Sequence, residues 1–244
     1  ALKKQLEEVL AIRDFAGREL ALPDNDSYRA YADLGRPFVV WNVFAASEFS
    51  VEPEKWCMPF IGCVNYRGYY DREAAEHYAG ELRQSGLDTY VAGEAAYSTL
   101  GFSSDPVLNT FLRFGDTEVA RIMFHELAHQ LLFVKDDTVF NESFATAVEN
   151  EGMRRWLARN ASPERQRAFA AQQRRRAQFA LLVDAYRGKL RTLYAAQQPP
   201  AEMRRAKVRL LAAMQEAYAD LKTAWGGDAG YDNWMGQDLN NAKI

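Results

Sequence analysis

Histidine and cysteine are scarce in this chain, which holds only three and two of them among 244 residues. Positive charge is not in excess either, because 30 Lys and Arg face 33 Asp and Glu for a formal net charge of −3. Without a basic surplus, the chain as a whole gives no electrostatic case for nucleic acid as its partner. It also lacks any run of 18 apolar residues, so the sequence predicts no membrane-spanning helix. What remains is a globular chain long enough to bury a substantial core.

Two of the three histidines stand four residues apart, with a glutamate directly after the first, in His125-Glu126-Leu127-Ala128-His129. On a helix, residues i and i+4 share a face, so both imidazoles can reach one metal ion. Glu126 then lies beside the open side of that metal, where it can take a proton from water. Chance would produce the pattern in about three such sequences per thousand. We therefore predict a metal site, and the alternative is a pair of hydrogen-bonded core histidines.

The residues around this motif favour two consecutive helices. Apolar side chains recur at helical spacing between positions 119 and 132, and neither Pro nor Gly interrupts residues 116–135. Asp116 or Thr117 is predicted to cap the start of the first helix. Residues 135–138 predict a tight turn into a second helix at about 139–157. Helices joined by so short a turn are expected to lie antiparallel and in contact.

This helix pair limits the choice of a third metal ligand. At about 1.5 Å per residue, Glu142 and Glu149 of the second helix lie level with the two histidines. Both can meet a metal across the gap of about 8–10 Å between the helix axes, and being seven residues apart they share a face. Asp136 and Asp137 lie in the turn, where capping and solvated roles are typical. Geometry alone leaves both glutamates open.

Two segments of the predicted helix pair resemble those of gluzincin metallopeptidases. His125 to His129, followed by Phe140-Asn141-Glu142-Ser143-Phe144-Ala145, is similar to the metal segments of the large zinc aminopeptidases. Those enzymes carry an Asn-Glu-Gly-Phe-Ala segment whose Glu is the third zinc ligand. More closely, the chain resembles the bacterial predicted aminopeptidase family, a zincin group. Further matching stretches are residues 28–34, 40–45, 56–57, 62–64, 66–69, 96–102 and 240–242.

The resemblance implies a zinc-dependent peptidase acting on peptide substrates. His125, His129 and Glu142 would hold one Zn²⁺ per chain, and Glu126 would be the catalytic base. The implied fold is α+β: a single zincin-like domain over residues 1–244, with a sheet-containing half at 1–115 and a helical half with the metal site at 116–244. Aminopeptidase activity is the function implied by the family name. The alternatives are an endopeptidase of the same chemistry and a non-enzymatic, zincin-shaped binding or scaffold protein.

One position departs from the gluzincin pattern. Many gluzincins place an Asp four residues after the ligand Glu, where it supports a zinc-bound histidine. Here that position is Thr146. Since a metal-bound histidine usually donates its other N–H to an acceptor, another group must serve. We expect Glu149 to do so.

The segment at 91–101 resembles the edge strand with which zincins bind the extended backbone of a substrate. In the large aminopeptidases, a Glu of this segment holds the free amine of the substrate, and the equivalent position here is Ala96. Glu94 would share its face, because strand side chains alternate with period two. Glu94, Tyr97 and Ser98 are therefore the predicted substrate-binding residues. For the oxyanion the sequence leaves five candidates open, namely Tyr97, Tyr186, Tyr194, Tyr218 and Tyr231.

Elsewhere, β-rich runs predict a small sheet in the N-terminal half, and helical patterns predict most of the remainder. The predicted strands lie at 38–44, 61–66 and 89–91, the last continuing towards Leu100. Asp26 or Ser27 is predicted to cap a short helix that runs to Leu34. The longer helices are predicted at 1–21, 71–85 and in a hairpin over 153–224 that breaks at Pro199-Pro200.

The two cysteines, Cys57 and Cys63, are close in sequence, and Pro59 and Gly62 make the intervening segment turn-like. Their even number and close spacing favour a disulfide, with two buried thiols as the alternative. The chain begins with Ala1 within a helical pattern, so we expect a targeting segment to have been removed. Related proteins often carry export or lipoprotein signals, which implies a periplasmic or membrane-anchored exported protein, with a cytoplasmic one as the alternative.

Overall fold

The structure is a computed structural model that describes residues 2–58, 62–96, 98–135, 137–236 and 238–244. Helices dominate it, and the strands form small sheets, in agreement with the predicted α+β class. In chain order the elements are α1 (Leu2–Leu20), β1 (Tyr31–Ala32), β2 (Val40–Ser47), β3 (Trp56–Met58), β4 (Gly62–Val64), β5 (Arg67–Tyr69), α2 (Arg72–Gln84), β6 (Leu87–Glu94), β7 (Val107–Leu108), α3 (Asn109–Leu112), α4 (Asp116–Leu131), α5 (Thr138–Asn160), α6 (Pro163–Ala195), α7 (Pro200–Ala224) and α8 (Asp232–Gly236).

The chain forms two compact units that interleave along the sequence. Unit 1 comprises Ala1–Val40 and Gly93–Gln166, and unit 2 comprises Trp41–Ala92 and Arg167–Ile244. Both helices that carry the His-Glu-His motif and its partner glutamates therefore belong to unit 1. The sequence predicts consecutive halves, whereas each unit here draws on two separate stretches. That both units belong to one zincin-like domain stays a prediction.

Unit 1 is held together where α1, α4 and α5 meet. The ring of Phe15 lies 6.0 Å from that of Phe124 and 5.1 Å from that of Trp156, so one residue of each helix meets the others in a shared apolar core. Gly152 allows the close approach, because a Cβ at this position would lie 2.8 Å from Phe124 Cδ2 and 2.8 Å from Leu20 Cδ1. The packing of α4 against α5 sets the distance between their facing side chains.

The predicted short helix from Asp26 or Ser27 to Leu34 is wrong. Residues 31 and 32 instead form β1, which pairs in parallel with β7. The cause lies in Arg13 of α1, a fully buried side chain whose Nε donates to Ser27 O at 2.8 Å and whose Nη2 donates to Pro23 O and Asn25 O. Since these bonds take up carbonyls at the predicted helix start, the buried arginine favours an irregular loop.

Unit 2 is built on the three-stranded sheet β5-β2-β6. Helix α2 packs on this sheet, where its Ala75 and Ala79 form a buried cluster with Val43 of β2. Beside it, β3 and β4 form an antiparallel pair in which Cys57 faces Cys63, and the two sulfurs are bonded. The predicted disulfide is thus confirmed.

The long helices α6 and α7 form a hairpin that turns at Pro199, as predicted, but its first helix begins at Pro163 rather than near residue 153. A buried apolar cluster packs both helices against the C-terminal segment. Apolar side chains of α6 and α7 are therefore buried within unit 2. Among the described residues, no helix is both long and apolar enough to cross a bilayer. The cluster consists of Phe179, Tyr186, Met214, Tyr218 and Met235.

Candidate metal centre

Local interactions fix both ends of the connection between α4 and α5. Asn141 is buried, and its side chain accepts from Val134 N and donates to Val134 O, each at 2.8 Å. Asp137 caps α5 by accepting from Phe140 N at 2.9 Å, as predicted for a turn residue. Asp136 lies outside the described residues. The connection therefore holds the two helices in a defined register.

The start of α4 differs from the prediction. Gly115 is its N-cap, with a φ of 85°, and Asp116 is the first helical residue rather than the cap. A positive φ of this size is readily adopted only by glycine, which explains why the cap falls one residue earlier. Because 116–131 is helical without a break, His125 and His129 keep the spacing of one helical turn, as predicted.

Three side chains converge on one point between the helices. The Nε2 atoms of His125 and His129 lie 3.2 Å apart. One carboxylate oxygen of Glu142 lies 3.3 Å from His125 Nε2, and the other lies 3.5 Å from His129 Nε2. Four-coordinate zinc with bonds of about 2.0–2.1 Å has neighbouring ligand atoms about 3.3 Å apart, as the edges of a tetrahedron. The two imidazole nitrogens have the spacing of one such edge, and one ligand atom from each of the three residues lies within 4.8 Å of the others, so these residues form a group that could hold a metal ion.

The second nitrogen of His125 has its own partner. Nδ1 lies 3.1 Å from an oxygen of Glu149, whose side chain is only 5% exposed. The same oxygen accepts from Arg121 Nη1 at 3.0 Å, so one carboxylate joins two residues that are one turn apart on α4. Glu149 therefore supports His125 from behind, as we predicted, while Glu142 faces Nε2. Arg121 was not predicted, although its position four residues before His125 places it on the same helical face.

The charges of this cluster act strongly on one another. Burial lowers the pKa of His125, but the hydrogen bonds that it donates to Glu142 and Glu149 raise it more, to about 9. The hydrogen bond from His125 lowers the pKa of Glu142. Burial of Glu149 acts to raise its pKa, yet its bonds to His125 and Arg121 leave that pKa lowered. The hydrogen bond between Nε2 and Glu142 needs a proton that a bound cation would replace, whereas the bond between Nδ1 and Glu149 could remain.

Glu126 follows His125 on α4, and the charges of His125 and Glu142 act on it. Burial raises its pKa to about 7, and His125 opposes this shift. The negative charges of Glu142, Asp105 and Glu94 add to the rise. A carboxylate with a pKa near neutrality is well matched to accepting and returning a proton at physiological pH.

Of the predicted substrate-binding residues, Glu94 lies in a strand and Ser98 lies beyond that strand. Glu94 is the last residue of β6, and its backbone carbonyl accepts from Val39 N at 2.8 Å. The strand therefore stops at Glu94 and does not continue towards Leu100 as predicted. Ser98 lies beyond the strand, where its Oγ accepts from Leu100 N at 3.0 Å, and Tyr97 lies outside the described residues.

Of the tyrosines left open for the oxyanion, four belong to unit 2. Three of their hydroxyls have partners within that unit. Tyr186 donates to Ala213 O, and the hydroxyls of Tyr194 and Tyr218 bond to Asn241 Oδ1 and Asp232 Oδ1, each at 2.7 Å. Tyr231 stacks on Phe179 with ring centroids 3.9 Å apart. The contacts described for these four rings are thus packing and hydrogen-bonding contacts of unit 2.

The whole chain, residues 1–244, matches the model of one protein family, described as "Putative aminopeptidase". No curated protein and no solved structure gives a significant match. The match agrees with the resemblance to an aminopeptidase family that the sequence motifs indicate, and it points to peptide hydrolysis. The chain belongs to the "Putative aminopeptidase" family.

Proposed function

We propose that this protein is a zinc-dependent aminopeptidase of the gluzincin type, with one Zn²⁺ held by His125, His129 and Glu142. The observation that carries the proposal is that one donor atom from each of these residues lies within 4.8 Å of the others, with the two Nε2 atoms 3.2 Å apart. Two imidazoles and a carboxylate form a donor set that suits zinc and leaves a fourth position open for water or substrate.

The chain's own residues divide the work of hydrolysis. Bound zinc supplies a Lewis acid that lowers the pKa of water and polarises a peptide carbonyl. Glu126 accepts a proton from the attacking water at its carboxylate and passes it to the nitrogen of the leaving amine. Glu149 accepts from Nδ1 of His125 and so keeps Nε2 directed at the metal.

A preference for substrates with a free amino terminus is supported by the charge around Glu126. The carboxylate of Glu94 acts on it, so the negative charge of Glu94 lies near the proposed base. An α-ammonium group would be attracted there, whereas a blocked amine would not. We propose that Glu94 binds this ammonium group and that Tyr97 and Ser98 contact the substrate backbone.

Two further proposals concern the location of the protein and the class of its partner. The Cys57–Cys63 disulfide supports an exported protein, periplasmic or membrane-anchored, because disulfides persist in oxidising compartments. The partner we propose is a peptide rather than nucleic acid, since the net charge of −3 offers phosphates no attraction.

The first experiment is the zinc content of purified wild type, Glu142→Ala and Glu151→Ala, measured by elemental analysis. Glu151 lies on the same helix and is partly exposed, with its carboxylate paired to Arg154 and Arg155. We expect one zinc per chain in wild type and in Glu151→Ala, and little in Glu142→Ala. Zinc retained by Glu142→Ala would move the third ligand elsewhere, and no zinc in any of the three would leave the histidines as a hydrogen-bonded pair.

The second experiment tests the reaction. Wild type and Glu126→Gln are incubated with peptides that carry either a free or an acetylated amino terminus. We expect wild type to release single residues from free-amino peptides only, and Glu126→Gln to keep its zinc but lose cleavage by at least about 1,000-fold. Cleavage of acetylated peptides would favour an endopeptidase, and no cleavage by zinc-loaded wild type would favour a binding protein.

A further inference from the structure

Asp105 precedes β7 and lies in unit 1, and its carboxylate is buried. We infer that Asp105 is a positioning residue, which ties Thr99 of the predicted substrate-binding segment at 91–101 to the helix that carries the histidines. The inference rests on the proposed function, because it assigns Asp105 a role in the affinity for peptide. No sequence motif indicated this residue.

One oxygen of the carboxylate makes both connections. Asp105 Oδ2 accepts from the backbone N–H of Thr99 at 3.1 Å. The same atom accepts from Gln130 Nε2 at 3.0 Å. Gln130 directly follows His129 on α4, so a single buried atom joins the end of the substrate-binding segment to the residue beside a proposed metal ligand.

The orientation of Gln130 is fixed by other residues. Its Oε1 accepts from Asn25 Nδ2 at 2.8 Å, which leaves the Nε2 group to donate to Asp105 and, at 3.3 Å, to Ser27 Oγ. Ser27 Oγ also accepts from Asp105 N at 3.2 Å. Since each of these groups already has a partner, Asp105 has little freedom to move away from α4.

The other end of the segment is anchored as well. Thr110 is buried on α3, and its Oγ1 donates to Ala95 O at 2.6 Å. Ala95 is therefore bonded to Thr110 and Thr99 to Asp105, and the predicted contact residue Ser98 lies between Ala95 and Thr99 in sequence. Release of the Asp105 end would let this span move relative to the histidines.

The expected role of Asp105 follows from the hydrogen bond that it accepts from the backbone N–H of Thr99. An acceptor at position 105 fixes a backbone N–H, and an extended peptide bound along residues 95–99 would need that backbone in one conformation. Loss of the acceptor should therefore weaken substrate binding more than the chemical step. Asparagine retains an acceptor oxygen at this site, whereas alanine removes it.

The test compares wild type with Asp105→Ala, Asp105→Asn and the control Asp33→Ala. Asp33 is an exposed residue of unit 1 that caps the backbone N–H of Gly35 at 2.8 Å, a similar bond remote in sequence from residues 95–105. The readouts are zinc content, the unfolding midpoint, amide hydrogen exchange of residues 98–103, and kcat and KM for a free-amino peptide.

We expect Asp105→Ala to keep its zinc, to exchange the amide of Thr99 at least about tenfold faster and to raise KM at least about tenfold, with kcat within threefold of wild type. For Asp105→Asn and Asp33→Ala, the exchange rate of residue 99, KM and kcat should each remain within threefold of the wild-type value. Unchanged exchange at residue 99, an unchanged KM, loss of zinc, or failure of asparagine to rescue would each overturn the inference.

Failure of the inference and failure of the proposed function give different results. If zinc-loaded wild type cleaves no peptide, the proposed function fails, and affinity is then measured as binding of the same free-amino peptide to the Asp105 series. Hydrogen exchange reports on the tether in either case. A tether seen by exchange without any change in peptide affinity would make Asp105 purely structural and would contradict the positioning role.

Discussion

Glu149 is a buried carboxylate that bonds to both His125 and Arg121, and its removal should weaken metal binding without abolishing it. Partners behind a metal-bound histidine fix its ring and raise its basicity, and their loss typically costs 10- to 100-fold in metal affinity. We therefore expect Glu149→Gln to raise the zinc dissociation constant about 10- to 100-fold. Competition with a chromogenic chelator measures this constant.

The control for Glu149→Gln is Glu151→Gln, two residues further along α5. Its carboxylate pairs with Arg154 and Arg155 at the surface, so its loss should leave zinc affinity within twofold of wild type. Equal affinities for all three proteins would show that the Glu149 bond does not support the metal. Complete loss of zinc from Glu149→Gln would instead make Glu149 a direct ligand.

Lys243 gives a prediction for the pH dependence of stability. Burial lowers its pKa from 10.5 to about 8, with Asp238 acting in the opposite direction. Between these two pH values the unfolded chain holds a proton that the folded chain releases, so the free energy of unfolding should rise with pH across this window. Below pH 8 the ammonium is charged in both the folded and the unfolded chain, so this group no longer makes the free energy of unfolding change with pH.

The variant that isolates this effect is Lys243→Met. The free energy of unfolding of wild type minus that of the variant should rise by about 1 kcal/mol between pH 7.5 and 10, after allowance for partial solvent screening. Urea titrations at several pH values measure it. A difference that is constant or falls with pH would contradict the shifted pKa.

At the scale of helices, Gly152 determines how closely α5 can approach α1 and α4. A Cβ at this position would lie 2.8 Å from atoms of Leu20 and Phe124, and the Phe124 ring is fully buried and has little room to shift. We expect Gly152→Ala to lower the free energy of unfolding by about 1–3 kcal/mol through overpacking. Because α5 carries Glu142, zinc affinity should fall as well.

Gly188 on α6 supplies the matched control, since a Cβ there would have no neighbour within 4 Å. In that helix, Gly188→Ala should raise the free energy of unfolding by up to about 1 kcal/mol, because alanine loses less conformational entropy than glycine. Denaturant unfolding of both variants decides the matter. Similar effects of the two substitutions would show that helix propensity, rather than the tight contact at Gly152, dominates.

At the scale of the molecule, zinc should stabilise the fold through unit 1, whose helices α4 and α5 supply all three proposed ligands. A ligand that binds only the folded state adds about 2.7 kcal/mol when its concentration is 100 times the dissociation constant. We expect Tm to fall on removal of zinc by a chelator and to recover when zinc is added back. Glu142→Ala should show no such dependence, and a Tm of wild type that ignores zinc would contradict a metal site in the folded protein.

The elements of the fold were predictable where short-range interactions decide them. The boundaries of α1, α2, α4 and α5 follow the hydrophobic periodicity within a few residues. The irregular loop at 21–30 was not predictable. Arg13 donates hydrogen bonds to the backbone carbonyls of residues 23 and 27 in this loop, and no local pattern reveals which carbonyls an arginine 10 to 14 residues away will bind. The interleaved units likewise depend on contacts between distant segments.

The sequence by itself determined the positions of His125, Glu126 and His129 relative to one another, because four residues on a helix always return to the same face. It also limited the third donor to Glu142 or Glu149. Helix geometry could not choose between them and the resemblance to gluzincins assigned Glu142, whereas in the structure the relative shift of the two packed helices puts Glu142 at Nε2 and Glu149 at Nδ1. Only the tertiary structure reveals the Asp105 tether, because Asp105 bonds to Gln130 and Ser27, 25 and 78 positions away in sequence, and only folding brings them together.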